Sequence, residues 1–169
     1  ALRMLDIGVN GLDPDAFPFE DVRDQIAAAT PLRVFAIAKA LADGVSVDEI
    51  HELSRIDRWF LNALVPVVRT HRSLGARRTA PDDATLRDAK LLGFSDHAIG
   101  RLPGTTRAAV RQQRKRADIR PHLAQIDTMA AEFPAETNYL YSSYHATQSD
   151  VKPSGRKKVL VLGSGAYRI

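Results

Sequence analysis

The sequence predicts an all-α fold of two stacked three-helix units, with a short C-terminal strand belonging to the next α/β domain. Three observations predict it. Apolar residues recur at helical spacing through the first half of the chain, with capping residues at the boundaries. The pattern Ala40-x3-Gly44-x-Ser46-x3-Ile50-x2-Leu53 returns as Ala89-x3-Gly93-x-Ser95-x3-Ile99-x2-Leu102 at a constant offset of 49 residues. The tail Lys158-Val-Leu-Val-Leu-Gly-Ser-Gly165 sets a continuous apolar run before a tight glycine turn, as a buried strand opening a nucleotide-handling domain does.

The elements follow in order. Residues 1–29 lack strong periodicity: Asn10-Gly11 and Asp13-Pro14 are turn signals, and Phe17-Pro18-Phe19 reads as an extended packing segment. Thr30-Pro31 predicts a cap followed by proline at the first helical position. Val34, Ile37, Ala38 and Leu41 then form one apolar face, closed by Gly44. Ser46-Val-Asp-Glu49 is a capping box opening a short helix with Ile50 and Leu53 inside. Asp57 caps a third helix carrying Trp59, Phe60, Leu61, Leu64 and Val68, with Pro66 expected to kink it. After a polar stretch at 72–83 the plan repeats, with Thr105 or Thr106 standing where Ile56-Asp57 stood. Each unit needs the other to cover its apolar face.

Beyond Arg120-Pro121 the character changes. Leu123, Ile126, Met129 and Ala130 predict one more helix ending near Phe133-Pro134, and residues 138–144 read as an aromatic strand. A polar linker at 145–157 leads to the final strand, which is expected to lie against 138–144. The expected division is a helical domain over 1–150, then a linker and truncated first strand over 151–169.

Composition narrows function. The chain has 169 residues, 44% hydrophobic and 26% charged, which is ordinary for a globular protein that buries a core. The absence of Cys excludes disulfides, thiolate metal sites and a cysteine nucleophile. No apolar run approaches the roughly 18 residues of a membrane span. A net charge of +4 permits a nucleic-acid partner without requiring one. The chain does not begin with Met, and both ends read as cut.

Candidate motifs are few. Ala89–Ser95 leading into Thr106–Arg116 resembles a helix-turn-helix, in which Arg111, Gln112 and Arg114 would meet base edges. Small tri-helical units are common, however, and a cationic helix face is usually solvated. His51-Glu52 starts like a zinc-protease motif, but Arg55 stands where the second histidine belongs. There is no nucleophile elbow, Walker loop or assignable acidic pair, so no complete active site is expected. The tail Gly163-Ser-Gly165-Ala-Tyr-Arg168 resembles a dinucleotide fingerprint with Arg in place of its third glycine, which removes the close helix–strand approach. Trp59, Phe60 and Phe94 make an apolar inventory large for such small helices, and some of it is expected to serve self-association.

Several runs together resemble the large chain of carbamoyl-phosphate synthase. They are Ala1–Met4, Ile56-Asp-Arg-Trp-Phe-Leu61, Leu92-Gly-Phe-Ser95, Gln125–Thr128, Ala130-Ala-Glu-Phe133, Thr137-Asn-Tyr-Leu-Tyr141, Val161–Gly165 and Tyr167–Ile169. They occur in order over the whole chain. The resemblance implies that 1–150 is the helical oligomerisation domain joining two ATP-using synthetase halves, and that 158–169 opens the second half. It implies a parent enzyme making carbamoyl phosphate from bicarbonate, glutamine-derived ammonia and two ATP, for arginine and pyrimidine synthesis. ATP and magnesium would then belong to the parent alone and the segment itself would be inactive, with Gly163, Gly165 and Arg168 near the second synthetase site. Implied partners are the flanking halves, a glutaminase subunit or domain and further copies of the chain. No specific nucleic acid and no membrane are implied, and the cytoplasm is the expected compartment.

Overall fold

The computed structural model describes residues 2, 7–127, 129–130, 132–134, 140–152 and 154–159. Among them are seven helices: α1 Val22–Ala27, α2 Arg33–Ala42, α3 Val47–Ser54, α4 Arg58–Gly75, α5 Asp83–Leu91, α6 Asp96–Arg101 and α7 Arg107–Arg116. Two short strands, β1 His122–Gln125 and β2 Leu140–Ser143, pair antiparallel with His122 opposite Ser143. The fold is all-α with this small sheet near its C-terminal end. The chain divides into two compact units, 1–113 and 114–169.

The repeat is a repeat of structure. α6 and α7 begin 49 residues after α3 and α4, and α5 ends 49 residues after α2, the offset of the sequence pattern. Gly44 and Gly93 close the first helix of each set at φ +91° and +87°, a left-handed conformation that side chains resist. The amides after them turn back identically, Val45 N–H to Ala40 O at 2.9 Å and Phe94 N–H to Ala89 O at 3.0 Å. Ser46 Oγ accepts from Glu49 N–H, and Ser95 Oγ from Ala98 N–H, both at 3.1 Å. The third helices are capped by Asp57, accepting from Trp59 N–H at 2.7 Å, and by Thr106, accepting from Ala109 N–H at 3.1 Å. Burial follows the same register: Ile37 and Leu86, Ala40 and Ala89, Ile50 and Ile99, Leu61 and Val110 are all buried.

The core of the first set joins Ile26 of α1, Ala36, Ile37 and Ala40 of α2, Ile50 of α3 and Leu61 of α4. Arg33 threads this cluster, donating from Nε to Ile26 O at 2.6 Å and from Nη2 to Ser54 O at 2.7 Å. It thereby satisfies carbonyls at the C-terminal ends of both α1 and α3, where no further helical amide reaches them.

Four expectations are corrected. Thr30 is not the cap of α2, which begins at Arg33 behind Leu32 with no side-chain cap; Thr30 instead closes a turn by accepting from Arg33 N–H at 3.1 Å. Only half of the capping box forms, because Glu49 turns outward to accept from Arg23 Nε at 2.9 Å. The helix expected from Leu123 onward is strand β1, since pairing with β2 and edge bonds from Ser149 and Asp150 outweigh a weak helical pattern. Of the three aromatics from which some surface was expected for self-association, Phe94 is buried and offers none. Of 138–144, Leu140–Ser143 pair with β1, and the expected strand at 160–163 lies outside the described residues.

In 114–169, Asp150 N–H donates to Leu123 O at 2.9 Å and its carboxylate accepts from Gln125 N–H at 2.8 Å, so β1's outer edge is occupied. Arg114 donates to Ile119 O at 3.1 Å and lies 5.9 Å from the Tyr144 ring centroid.

One glycine is required by contact. A Cβ on Gly100 in α6 would stand 2.8 Å from the Thr106 carbonyl carbon. Gly100→Ala is therefore expected to destabilise the chain by about 1–2 kcal/mol, an overpacking cost partly offset by alanine's better helix propensity. Chemical denaturation checks this, and a stabilised variant would show that α7 yields freely.

Candidate functional site

A groove of about 1010 Å³ lies within residues 1–113. The N-terminal segment, α2, α4 and α6 form its walls. Asp13-Pro14 makes the turn its sequence predicts, with Asp13 N–H to Gly11 O at 3.1 Å and Ala16 N–H to Asp13 O at 3.2 Å. Pro14 is fully buried, and Phe17 packs edge-on against Phe35 at 4.8 Å between centroids, anchoring the segment.

This turn delivers Asp13 to two helices. Oδ2 accepts from Arg101 Nη2 of α6 at 2.6 Å, and Oδ1 lies 3.3 Å from His71 Nε2 of α4. Oδ1 also accepts from Asp15 N–H at 3.0 Å. The His71 approach has the distance of an ion pair without hydrogen-bond alignment, so Nε2 is buried with no hydrogen-bond partner among the described residues. Burial lowers the His71 pKa and outweighs the opposing pull of Asp13 and Asp15, with Arg101 lowering it further. The ring is therefore neutral at pH 7.

A pH dependence follows. The folded pKa is depressed, so the unfolded chain binds a proton at higher pH than the folded one. Stability is expected to be full above the unfolded histidine value of 6.5 and to fall as pH drops from there through the folded value. Denaturation midpoints between pH 7.5 and 5 check this. His71→Gln should flatten that slope, and an unchanged slope would assign it to other groups.

Among the described residues no three His, Asp or Glu side chains gather as a metal site. His51 of α3 has its Nδ1 2.7 Å from Ile56 O, a bond within the α3–α4 turn. On α7, Arg111 and Gln112 are exposed, whereas Arg114 is held by Ile119 O and Tyr144. Gly163, Gly165 and Arg168 lie outside the described residues. No helix among the described residues is long and apolar enough to cross a membrane.

A second feature is a surface. Trp59 and Phe60, at the first turn of α4, are 71% and 60% exposed and pack edge-on against each other at 4.9 Å. The repeat supplies an internal control, because the matching positions of α7 are Ala108 and Ala109, also exposed. The helix pattern needs no aromatic there, yet the first set carries two.

Comparison with known proteins agrees with this picture. Residues 1–118 match the family described as carbamoyl-phosphate synthetase large chain, oligomerisation domain. The whole chain is 42% identical to the arginine-specific carbamoyl phosphate synthase large chain, mitochondrial, of Schizosaccharomyces pombe, covering 15% of that protein. It is 44% identical to the multifunctional protein ura1 of the same organism, covering 8% of it. Against the mitochondrial carbamoyl-phosphate synthase [ammonia] of Rattus norvegicus it is 39% identical over its whole length and covers 12% of that chain. The chain thus spans a small fraction of the curated relatives it matches.

Proposed function

Because this chain belongs to the carbamoyl-phosphate synthetase large-chain oligomerisation-domain family, we propose that it is the non-catalytic spacer and assembly module of such a large chain. The single observation carrying the assembly role is the exposed Trp59–Phe60 pair at positions where the second repeat has alanines. Exposed aromatics that no fold requirement explains are typical anchors of protein interfaces. Their partner in this reading is a further copy of the chain, while the flanking synthetase halves and a glutaminase subunit or domain meet the module elsewhere. The parent joins bicarbonate, glutamine-derived ammonia and two ATP into carbamoyl phosphate, using ATP and magnesium sites outside this segment. Gly163, Gly165 and Arg168 are proposed to stand near the second of those sites. The cytoplasm is the proposed compartment, and fractionation with mitochondria, where two of the relatives' names place them, would overturn that part.

The helical module is proposed to end between 113 and 118 rather than at 150. Two observations support this: the first compact unit stops at Gln113 and the family match at 118.

Light scattering over a concentration series tests assembly. The 169-residue chain is expected to self-associate, and the double variant Trp59→Ser with Phe60→Ser to weaken association at least tenfold, about 1.4 kcal/mol. A strict monomer at high micromolar concentration would overturn the assembly role. The same preparation is expected to show no bicarbonate-dependent ATP turnover above a buffer control. Duplex DNA is expected to bind weakly and without sequence preference, and nanomolar site-specific binding in physiological salt would restore the helix-turn-helix reading.

A further inference from the structure

We propose that the groove bounded by Asp13, Phe17, Leu64, His71, Phe94 and Arg101 binds a neutral small molecule with a ring-sized apolar body and a single hydrogen-bond-accepting oxygen, such as an uncharged amide or ketone. This goes beyond the assembly reading and does not rest on it.

Size and wall chemistry come first. A groove of about 1010 Å³ sits at the upper end of the range for small-molecule sites. Phe17, Val34, Leu64, Val67 and Phe94 give it apolar walls, with few polar groups among them. Three of the polar lining residues form one cluster, since Asp13 touches both Arg101 and His71. That arrangement suits a body of ring dimensions with one polar head.

The charges decide the head. Arg101 and Asp13 neutralise each other at 2.6 Å, and Asp15 is matched by Lys39 at 3.5 Å. An anionic head would have to compete with Asp13 for Arg101, and a cationic head with Arg101 for Asp13. Either exchange breaks an existing pair. A neutral head leaves both in place.

The available partners are donors. Of the guanidinium nitrogens of Arg101, Nη2 serves Asp13, and the rest of the fork remains on a side chain that is 54% exposed. His71 is 8% exposed, more than nine-tenths buried, and its Nε2 lacks an aligned partner. The Asp13 carboxylate 3.3 Å away favours the tautomer with hydrogen on Nε2, which makes this nitrogen a donor too. Ser95 Oγ accepts from Ala98 N–H, leaving its hydroxyl hydrogen to donate. A head that brings an acceptor oxygen answers the free donors of Arg101, and burial favours keeping the neighbouring imidazole neutral as it does so.

The test is an NMR titration of the 169-residue chain with benzamide, benzoate, benzylammonium and toluene. Benzamide is expected to bind with a dissociation constant on the order of 1 mM, typical for a ligand of its size. Its shifts should fall on the amides of 11–13 and 94–98 and on the His71 ring. Benzoate, benzylammonium and toluene should each bind at least fivefold more weakly. Leu64→Trp, which thrusts an indole from the wall into the groove, should weaken benzamide tenfold or more. Arg101→Met should bring benzamide down to the level of toluene, and because Arg101 is half-exposed this variant keeps the test open if the tryptophan variant does not fold. Absence of saturable shifts at about twenty times the expected constant, shifts mapping elsewhere, or equal affinity for benzoate would each overturn the proposal.

Discussion

Leu61→Ala is expected to lower the stability of the chain by about 3–4 kcal/mol. Leu61 is 1% exposed and is the α4 member of the cluster with Ile26, Ala36, Ile37, Ala40 and Ile50. Removing its isobutyl group leaves a cavity that three alanine-rich or short neighbouring helices cannot collapse to fill, so the cost includes both lost transfer energy and the void. For a chain of this length the melting temperature should fall by roughly 6–15 °C. Phe60→Ala, one residue earlier but 60% exposed, should stay within about 0.5 kcal/mol. Urea denaturation of both variants gives the comparison. A Leu61 loss under about 1 kcal/mol, or equal losses at both positions, would mean that α4 presents a different face to the core.

The helical repeat was readable because its signals are local. Gly44 and Gly93 stop helices through their own φ, and Ser46 and Ser95 start the next ones within three residues. Apolar spacing picked out buried Ile37, Ala38, Ile50, Leu61 and Val68, but it missed Phe35, Ala36 and Ala42 of α2, while Val34 and Leu41 are only half-buried. What failed to read locally was held from a distance. Strand β1 owes its hydrogen bonds to Leu140–Ser143, Ser149 and Asp150, so a four-residue stretch looked helical until its partners were known. α1 is six residues long with Ile26 as its buried residue, too short for periodicity to emerge, and only the Asp21 cap marks it.

The candidate sites differ in the same way. Trp59 and Phe60 stood out as an excess of aromatic surface, and the matching Ala108 and Ala109 turn that excess into an argument. The Asp13–His71–Arg101 cluster carried no such mark. Asp13-Pro14 read as a turn, His71 belonged to no motif, and Arg101 lies 88 positions from its partner. Only packing of the N-terminal segment onto α4 and α6 brings the three together.

The repeat also frames the second large effect. In α5, Lys90 is 8% exposed; its Nζ donates to Phe94 O at 2.6 Å and to Asp96 Oδ1 at 3.0 Å. The corresponding positions of the first set are Leu41 and Val47, an apolar pair packed against the core cluster. One backbone plan thus carries an ion pair in one copy and hydrophobic contact in the other. Lys90→Leu alone should cost about 3 kcal/mol, because it leaves the Asp96 carboxylate, 13% exposed, and the Phe94 carbonyl without their cation. Adding Asp96→Val converts the second copy to the chemistry of the first. The double variant is expected to recover to within about 1 kcal/mol of the starting protein, the remainder reflecting loss of an acidic residue from the first turn of α6. Denaturant midpoints of the two singles and the double form the cycle. If the losses simply add, Lys90 and Asp96 are not energetically coupled, and the two copies are not interchangeable at this position.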